Sequence, residues 1–114
     1  MKRVAITGGA GFIGSHVAKR MMDEGNEIKI IDDFSTGSEL NLRDLGVHPQ
    51  ILRGDLKDHK FARDALKSVE VVYHFAAEVG SVQYLHGSEA RELFALQTNL
   101  LIDANVFRAC IETA

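Results

Sequence analysis

Apolar residues fall into short blocks along this chain, and their spacing changes from block to block. Val4, Ala5 and Ile6 form an unbroken run within residues 2–7, which suits a strand buried on both faces. From Phe12 the spacing lengthens. Ile13, Val17 and Met21, with Ala18 and Met22 beside them, recur at helical intervals, predicting a helix over 12–24 with one buried face. Gly25 stands where a helix-ending glycine belongs. Residues 27–31 make a second strand-like block, closed by Asp32 and Asp33. The polar stretch 34–44 reads as a loop, with a short helix over 40–45. Pro49 opens a third short strand, 50–53, and is best tolerated there if that strand lies at a sheet edge. Phe61, Ala62, Ala65 and Leu66 share one face of a helix over 58–68, with Asp58 as its N-cap. Residues 69–75 are a fourth strand, 76–88 are irregular, and 89–112 form a long helix with a break expected near Thr98 and Asn99.

Strands alternating with helices imply a parallel sheet with right-handed crossovers and helices on both faces. The expected fold class is α/β, with strand order 3-2-1-4. No repeat, low-complexity tract or linker divides the chain, so residues 1–114 read as one domain, or as part of a larger one.

Between the first strand and first helix stands Thr7-Gly8-Gly9-Ala10-Gly11-Phe12-Ile13-Gly14-Ser15-His16. Gly9, Gly11 and Gly14 have G-x-G-x-x-G spacing in the strand–turn–helix context that a dinucleotide site requires. One glycine allows the tight turn, a second admits the pyrophosphate close to the backbone, and Gly14 lets the helix lie near the sheet. The helix amides and the positive end of its dipole then hold the phosphates. An acidic residue should follow at the end of strand two to accept hydrogen bonds from the adenosine ribose. Asp32 occupies that place, and its charge would repel a 2′-phosphate, favouring NAD over NADP. Motif, context and acid together make the sheet a Rossmann-type, NAD-binding one. A glycine turn without a ligand, and a merely solvated Asp32, are the plainer alternatives.

Composition narrows the setting. Apolar residues make up 46% of the 114 and charged ones 25%, enough for a packed core and against global disorder. A net charge of −3 offers no general attraction to nucleic acid or anionic membrane. Cys110 is the only cysteine, which excludes an internal disulfide. The apolar runs are far short of a membrane span, and residues 1–7 do not read as a signal peptide. The expected setting is the cytoplasm. No histidine pair has metal-ligand spacing on a shared helical face.

These residues resemble the short-chain dehydrogenase/reductase superfamily. The glycine stretch is similar to its T-G-x-x-G-x-x-G form, with Gly8, Gly11 and Gly14 as the three glycines, and the ending Gly-Phe-Ile-Gly-Ser-His is typical of the extended branch of nucleotide-sugar epimerases and dehydratases. The resemblance implies that Phe12 and Ile13 belong to the cofactor turn. It implies that Asp32, Asp33, Phe34, Ser35, Thr36 and Gly37 wrap the adenosine ribose, and that Asp55 and Leu56, in Arg53-Gly-Asp-Leu-Lys-Asp58, line the adenine. Phe75, Ala76 and Ala77, in the H-x-A-A loop, would pass under the cofactor's ribose and nicotinamide side, and Asn99 would lie near the cofactor. Glu78 and Ser81 stand where family members begin to meet the sugar, with no contact to it as the plainer alternative, and Val79 stands where some 4-epimerases place a lysine, a departure that speaks against that contact. The loop after His74 is most similar to that of GDP-mannose 3,5-epimerases, with UDP-sugar 4-epimerases and dTDP-glucose 4,6-dehydratases close behind.

The resemblance covers the whole chain but only the first third of such an enzyme. The family's catalytic Ser or Thr and its Tyr-x-x-x-Lys pair are not matched: Tyr73 and Tyr84 are followed four residues on by Ala77 and Ser88. No catalytic residue carries over, strand five onward and the substrate domain lie outside the chain, and the chain alone is expected to be inactive. A nucleotide-sugar is the implied substrate of the full enzyme. A stand-alone dinucleotide-binding module and an NADP-dependent reductase fragment remain alternatives. The last helix, apolar nearly all round from Leu100 to Ile111, implies burial on more than one side and a homodimer through that helix. His74 reads as a strand-end residue near the cofactor loop, with a proton shuttle or ligand as the alternative, and Cys110 as a core thiol.

Overall fold

A computed structural model describes residues 1–78 and 89–114 of the chain. Four strands, β1 (Arg3–Thr7), β2 (Glu27–Asp32), β3 (Gln50–Arg53) and β4 (Val71–His74), form one sheet ordered β3-β2-β1-β4. Every pairing is parallel, as predicted. Among the described residues, four helices accompany them: α1 (Phe12–Asp23), α2 (Glu39–Asp44), α3 (His59–Ala65) and α4 (Glu89–Thr113).

Alternation along the strands divides the core between two faces. Val4, Ile6, Ile28 and Ile30 pack with Ala18 of α1 and Leu42 of α2. Ala5 and Ile31 pack on the other face with Ala62 and Ala65 of α3, and with Ile102, Val106 and Ala109 of α4. The middle strands are therefore covered on both sides, which is why their sequences run apolar without a polar alternate. Lys29 of β2 is the exception, and its ammonium donates to the Ala65 carbonyl at the end of α3 (2.9 Å), the charged tip reaching past the apolar stem.

Helix ends follow local chemistry. Asp58 caps α3, its carboxylate accepting from the Lys60 and Phe61 amides. Past the end of α1, Gly25 adopts φ +88°; its N–H donates to Met22 O, and the next amide, Asn26, donates to Met21 O, the paired bonds of a Schellman turn. Pro49 precedes β3, an edge strand of this sheet.

Two expectations need correction. No break occurs in the last helix: α4 runs unbroken from Glu89 to Thr113 through Thr98 and Asn99. Both are modest helix formers, but Thr98 is buried and the Asn99 amide is engaged outside the helix. Helix α3 is shorter than its apolar pattern, ending at Ala65, and Ser68 takes φ +62° to turn the chain into β4.

Candidate functional site

All four strands point their carboxyl ends to one rim, and a cleft of about 380 Å³ opens there. It is built from the β1–α1 turn, the segment after β2, the β3–α3 loop and the β4 loop. Its floor is the glycine turn. Gly8 has φ +66°, and a Cβ there would lie 2.9 Å from the Ala76 nitrogen, so it serves both the turn and the approach of the β4 loop. At Gly14 a Cβ would lie 2.3 Å from the Gly8 carbonyl oxygen; only glycine lets α1 start this close to the strand. At Gly11 a Cβ would meet only the Gly8 oxygen, at 3.3 Å. Gly11 therefore keeps the cleft open rather than relieving a crowded contact. Gly9, which the G-x-G-x-x-G reading included, stands back from the cleft against the Ile30 side chain. The glycines of this turn that line the cleft are Gly8, Gly11 and Gly14.

The start of α1 differs from the starts of α2 and α3. Those are capped by the side chains of Ser38 and Asp58. At α1 the N-cap is Gly11, with no side-chain cap and no acidic residue in the first turn. A helix leaves its first amides without intrahelical partners, so this positive end faces the cleft, which Gly11, Phe12, Ile13 and Gly14 all line.

Asp32 is buried at the end of β2. Its Oδ2 accepts from the Ala10 amide (2.9 Å) and its Oδ1 from the Phe34 amide (2.8 Å), so one carboxylate ties the glycine turn to the loop after β2. Phe34 takes φ +61° and its ring lies under the Arg53 guanidinium, 4.3 Å from the centroid. Asp33 accepts from the Ser35 amide and hydroxyl. Asp55 faces the same end of the cleft, with the Lys57 ammonium 3.6 Å away.

On the opposite side, Phe75, Ala76, Ala77 and Glu78 form the wall. This loop is pinned at both ends. Thr7 Oγ1 accepts from the amides of Phe75 (3.0 Å) and Ala76 (3.1 Å). Asn99 Oδ1 accepts from the Glu78 amide (2.6 Å), and its Nδ2 donates to the Glu78 carbonyl. His74 bridges Thr7 Oγ1 (2.6 Å) and Asp103 Oδ1 (2.7 Å). The Asn105 amide of α4 holds the Leu56 carbonyl (2.9 Å).

Of the residues that the family resemblance assigns to the cofactor, all but two line the cleft. Phe34 is turned onto Arg53, and Asn99 engages the Glu78 backbone while its neighbour Thr98 supplies the wall. Ile31, Gly54, Lys57, Thr98 and Ile102 also line it. Gly54 and Lys57 flank residues already singled out; Thr98 and Ile102 are read only once α4 is laid across the rim. Ser81 and Val79 lie outside the described residues. Cys110 is half-buried beside the α3–α4 core, and burial pushes its thiol up from the usual range. Among the described residues no cluster of His, Cys, Asp and Glu suits a metal ion, and no helix is long and apolar enough to cross a membrane.

Residues 4–114 match the NAD dependent epimerase/dehydratase family. The chain belongs to that family, whose characteristic cofactor is NAD. It is similar to UDP-glucuronic acid decarboxylase 1 of Arabidopsis thaliana, 38% identical over 82 residues, covering 72% of this chain and 18% of the relative. UDP-glucuronic acid decarboxylase 1 of Danio rerio is 30% identical over 105 residues, 92% of this chain and 23% of the relative. Among solved structures, the UDP-N-acetylglucosamine 4-epimerase of Methanobrevibacter ruminantium M1, in complex with UDP-N-acetylmuramic acid, superposes with a TM-score of 0.81 at 34% identity, over 98% of this chain and 34% of that one. The UDP-glucose 4-epimerase of Thermus thermophilus, in complex with NAD, gives 0.80 at 32% identity, over 97% and 34%. The chain thus spans about a fifth of these decarboxylases and a third of these epimerases.

Proposed function

We propose that this chain is the NAD-binding part of a nucleotide-sugar epimerase or dehydratase. The observation that carries the reading is the start of α1, without a side-chain cap or an acidic residue in its first turn, opening over Gly11 into a cleft whose acidic end is lined by Asp32, Asp33 and Asp55. A pyrophosphate suits the helix start, because amides and dipole favour an anion there. A ribose diol suits the acidic end, because carboxylates accept from hydroxyls.

The acids also select. A 2′-phosphate would enter beside the Asp32 and Asp33 carboxylates, while Arg53 is held on the Phe34 ring; NAD is favoured over NADP. When bound, NAD supplies reversible hydride transfer. The chain's own part is to bind and orient: Gly8, Gly11 and Gly14 admit the pyrophosphate, Asp55 and Leu56 flank the adenine, and the pinned 75–78 loop walls the nicotinamide side. Asn99 contributes by holding Glu78. The residues that move protons on the sugar are not matched in these 114 residues, so the chain alone does not turn over a UDP-sugar. The full enzyme acts on a nucleotide-sugar in the cytoplasm, as a homodimer that covers the exposed face of α4.

Calorimetric titration of the 114-residue chain with NAD and with NADP tests this. Saturable NAD binding, with NADP at least about tenfold weaker, is expected; at 100 times its dissociation constant NAD adds about 2.7 kcal/mol of stability. Equal binding of the two would overturn the selectivity, and no binding of either by the folded chain would overturn the site. The comparison of ligands is the cleaner test, because even Asp32→Asn strips one of the Ala10 and Phe34 amides of its acceptor, and Asp32→Ala strips both.

A further inference from the structure

Three groups from three distant parts of the chain meet beside the β4 loop: Thr7 at the end of β1, His74 at the end of β4 and Asp103 on α4. We propose that His74 is a positioning residue, held neutral with its proton on Nε2, and that it fixes the Thr7 hydroxyl so that this hydroxyl anchors the wall of the dinucleotide cleft.

Counting donors and acceptors fixes the directions. A threonine hydroxyl has one hydrogen and two lone pairs. Thr7 Oγ1 already accepts from the Ala76 N–H and shares the Phe75 N–H with the Thr7 carbonyl, 3.0 Å to each. Thr7 is buried, and of these partners of Oγ1 the two amides can only donate, so its hydrogen goes to His74 Nδ1, 2.6 Å away. Nδ1 is therefore an acceptor and carries no proton. The imidazole proton sits on Nε2 and is donated to Asp103 Oδ1 at 2.7 Å. Each proton then has one place, and the ring is the spacer that sets both ends. The edge of Phe107 meets the ring at 70° with centroids 6.4 Å apart, closing a further side.

The alternative is an imidazolium–carboxylate ion pair. It would set an Nδ1–H against Oγ1 beside two amide donors, and would leave the hydrogen of the buried Thr7 hydroxyl without an acceptor among its three partners. The Ala76 backbone is also the group that Gly8 approaches most closely. The relay thus sets the distance between the glycine turn and the opposite wall, and α4 governs it through Asp103 without entering the cleft at that point.

The inference rests on the dinucleotide reading only for its consequence in binding, and the experiment separates the two. Long-range ¹H–¹⁵N spectra of the ¹⁵N-labelled chain at neutral pH report the tautomer of each of the five histidines, with His74 assigned by its loss in His74→Asn. The expected pattern for His74 is neutral, with Nε2 protonated. An imidazolium, an Nδ1–H form or a tautomer mixture overturns the proposal whether or not NAD binds. Thr7→Ser keeps the hydroxyl and should keep tautomer and NAD affinity. Thr7→Val should release the tautomer, speed hydrogen exchange at Ala76, whose amide loses its acceptor, and weaken NAD binding about tenfold. Asp103→Ala, on a half-exposed side chain, should release the tautomer in a folded chain. Unchanged spectra in both of these last variants also overturn it.

Discussion

At the residue scale, Gly14 and Gly11 of the β1–α1 turn carry different burdens and should fail differently. Gly14→Ala sets a Cβ against the Gly8 carbonyl at 2.3 Å, with Gly9 Cα at 2.8 Å. Neither is a side chain that can swing away, so stability should fall by about 3 kcal/mol in a denaturant titration. Gly11→Ala meets only one atom, at 3.3 Å, from φ −78°, which any residue adopts. Its stability should stay within about 0.5 kcal/mol, while NAD affinity drops at least about tenfold because the methyl fills the phosphate approach. A Gly11→Ala chain that binds NAD normally would remove the glycine from the site. Cys110 makes a further residue-scale prediction. Burial raises its pKa and so lowers its thiolate fraction; a thiol reagent should react more slowly with the native chain than with the unfolded one. Most of this scale is legible in the sequence because its signals are local. Glycine spacing and a strand-end acid lie within one strand–helix–strand unit. The Thr7–His74–Asp103 relay is not: its links span 67 and 29 residues, and no short window contains two of its members.

At the scale of elements, cap chemistry and period do most of the predicting. Asp58 reads as the start of α3, and its carboxylate does accept from the Lys60 and Phe61 amides. Asp58→Ala should therefore cost about 1 kcal/mol of stability, read as a lower melting temperature with no change in NAD affinity. An unchanged melting temperature would show that tertiary packing alone starts this helix. The 50–53 strand and its edge position follow from Pro49 and a short apolar run. The end of α3 does not: Leu66 stays buried in the core, so apolar spacing persists past the last helical turn. The expected break in α4 fails for a related reason. Thr98 and Asn99 look like weak points by propensity, but their contacts lie in the cleft wall and on the β4 loop, far away in sequence, and tertiary contacts outweigh tenths of a kcal/mol in propensity.

At the scale of the whole molecule, α4 has one covered face and one bare one. Ala95, Thr98, Ile102, Val106 and Ala109 are buried, the last three against the sheet and α3, whereas Leu93, Leu96, Leu100, Phe107 and Ile111 run along the helix exposed. Large exposed apolar stripes on soluble domains mark contact surfaces. The 114-residue chain should therefore self-associate with rising concentration, and its average mass by multi-angle light scattering should climb above 12.6 kDa. The controlling substitutions have to leave the cleft alone. Phe107 is unsuitable because its ring edges His74. Leu100 and Ile111 are 61% and 79% exposed, so Leu100→Glu with Ile111→Glu should change stability by no more than about 0.5 kcal/mol each. The double variant should return the mass to that of one chain while NAD binding is unchanged. If the unaltered chain is monomeric at high concentration, the bare stripe is not a self-association surface and the homodimer reading falls. If the variant still associates, the contact lies on another face and α4 is bare for a different reason.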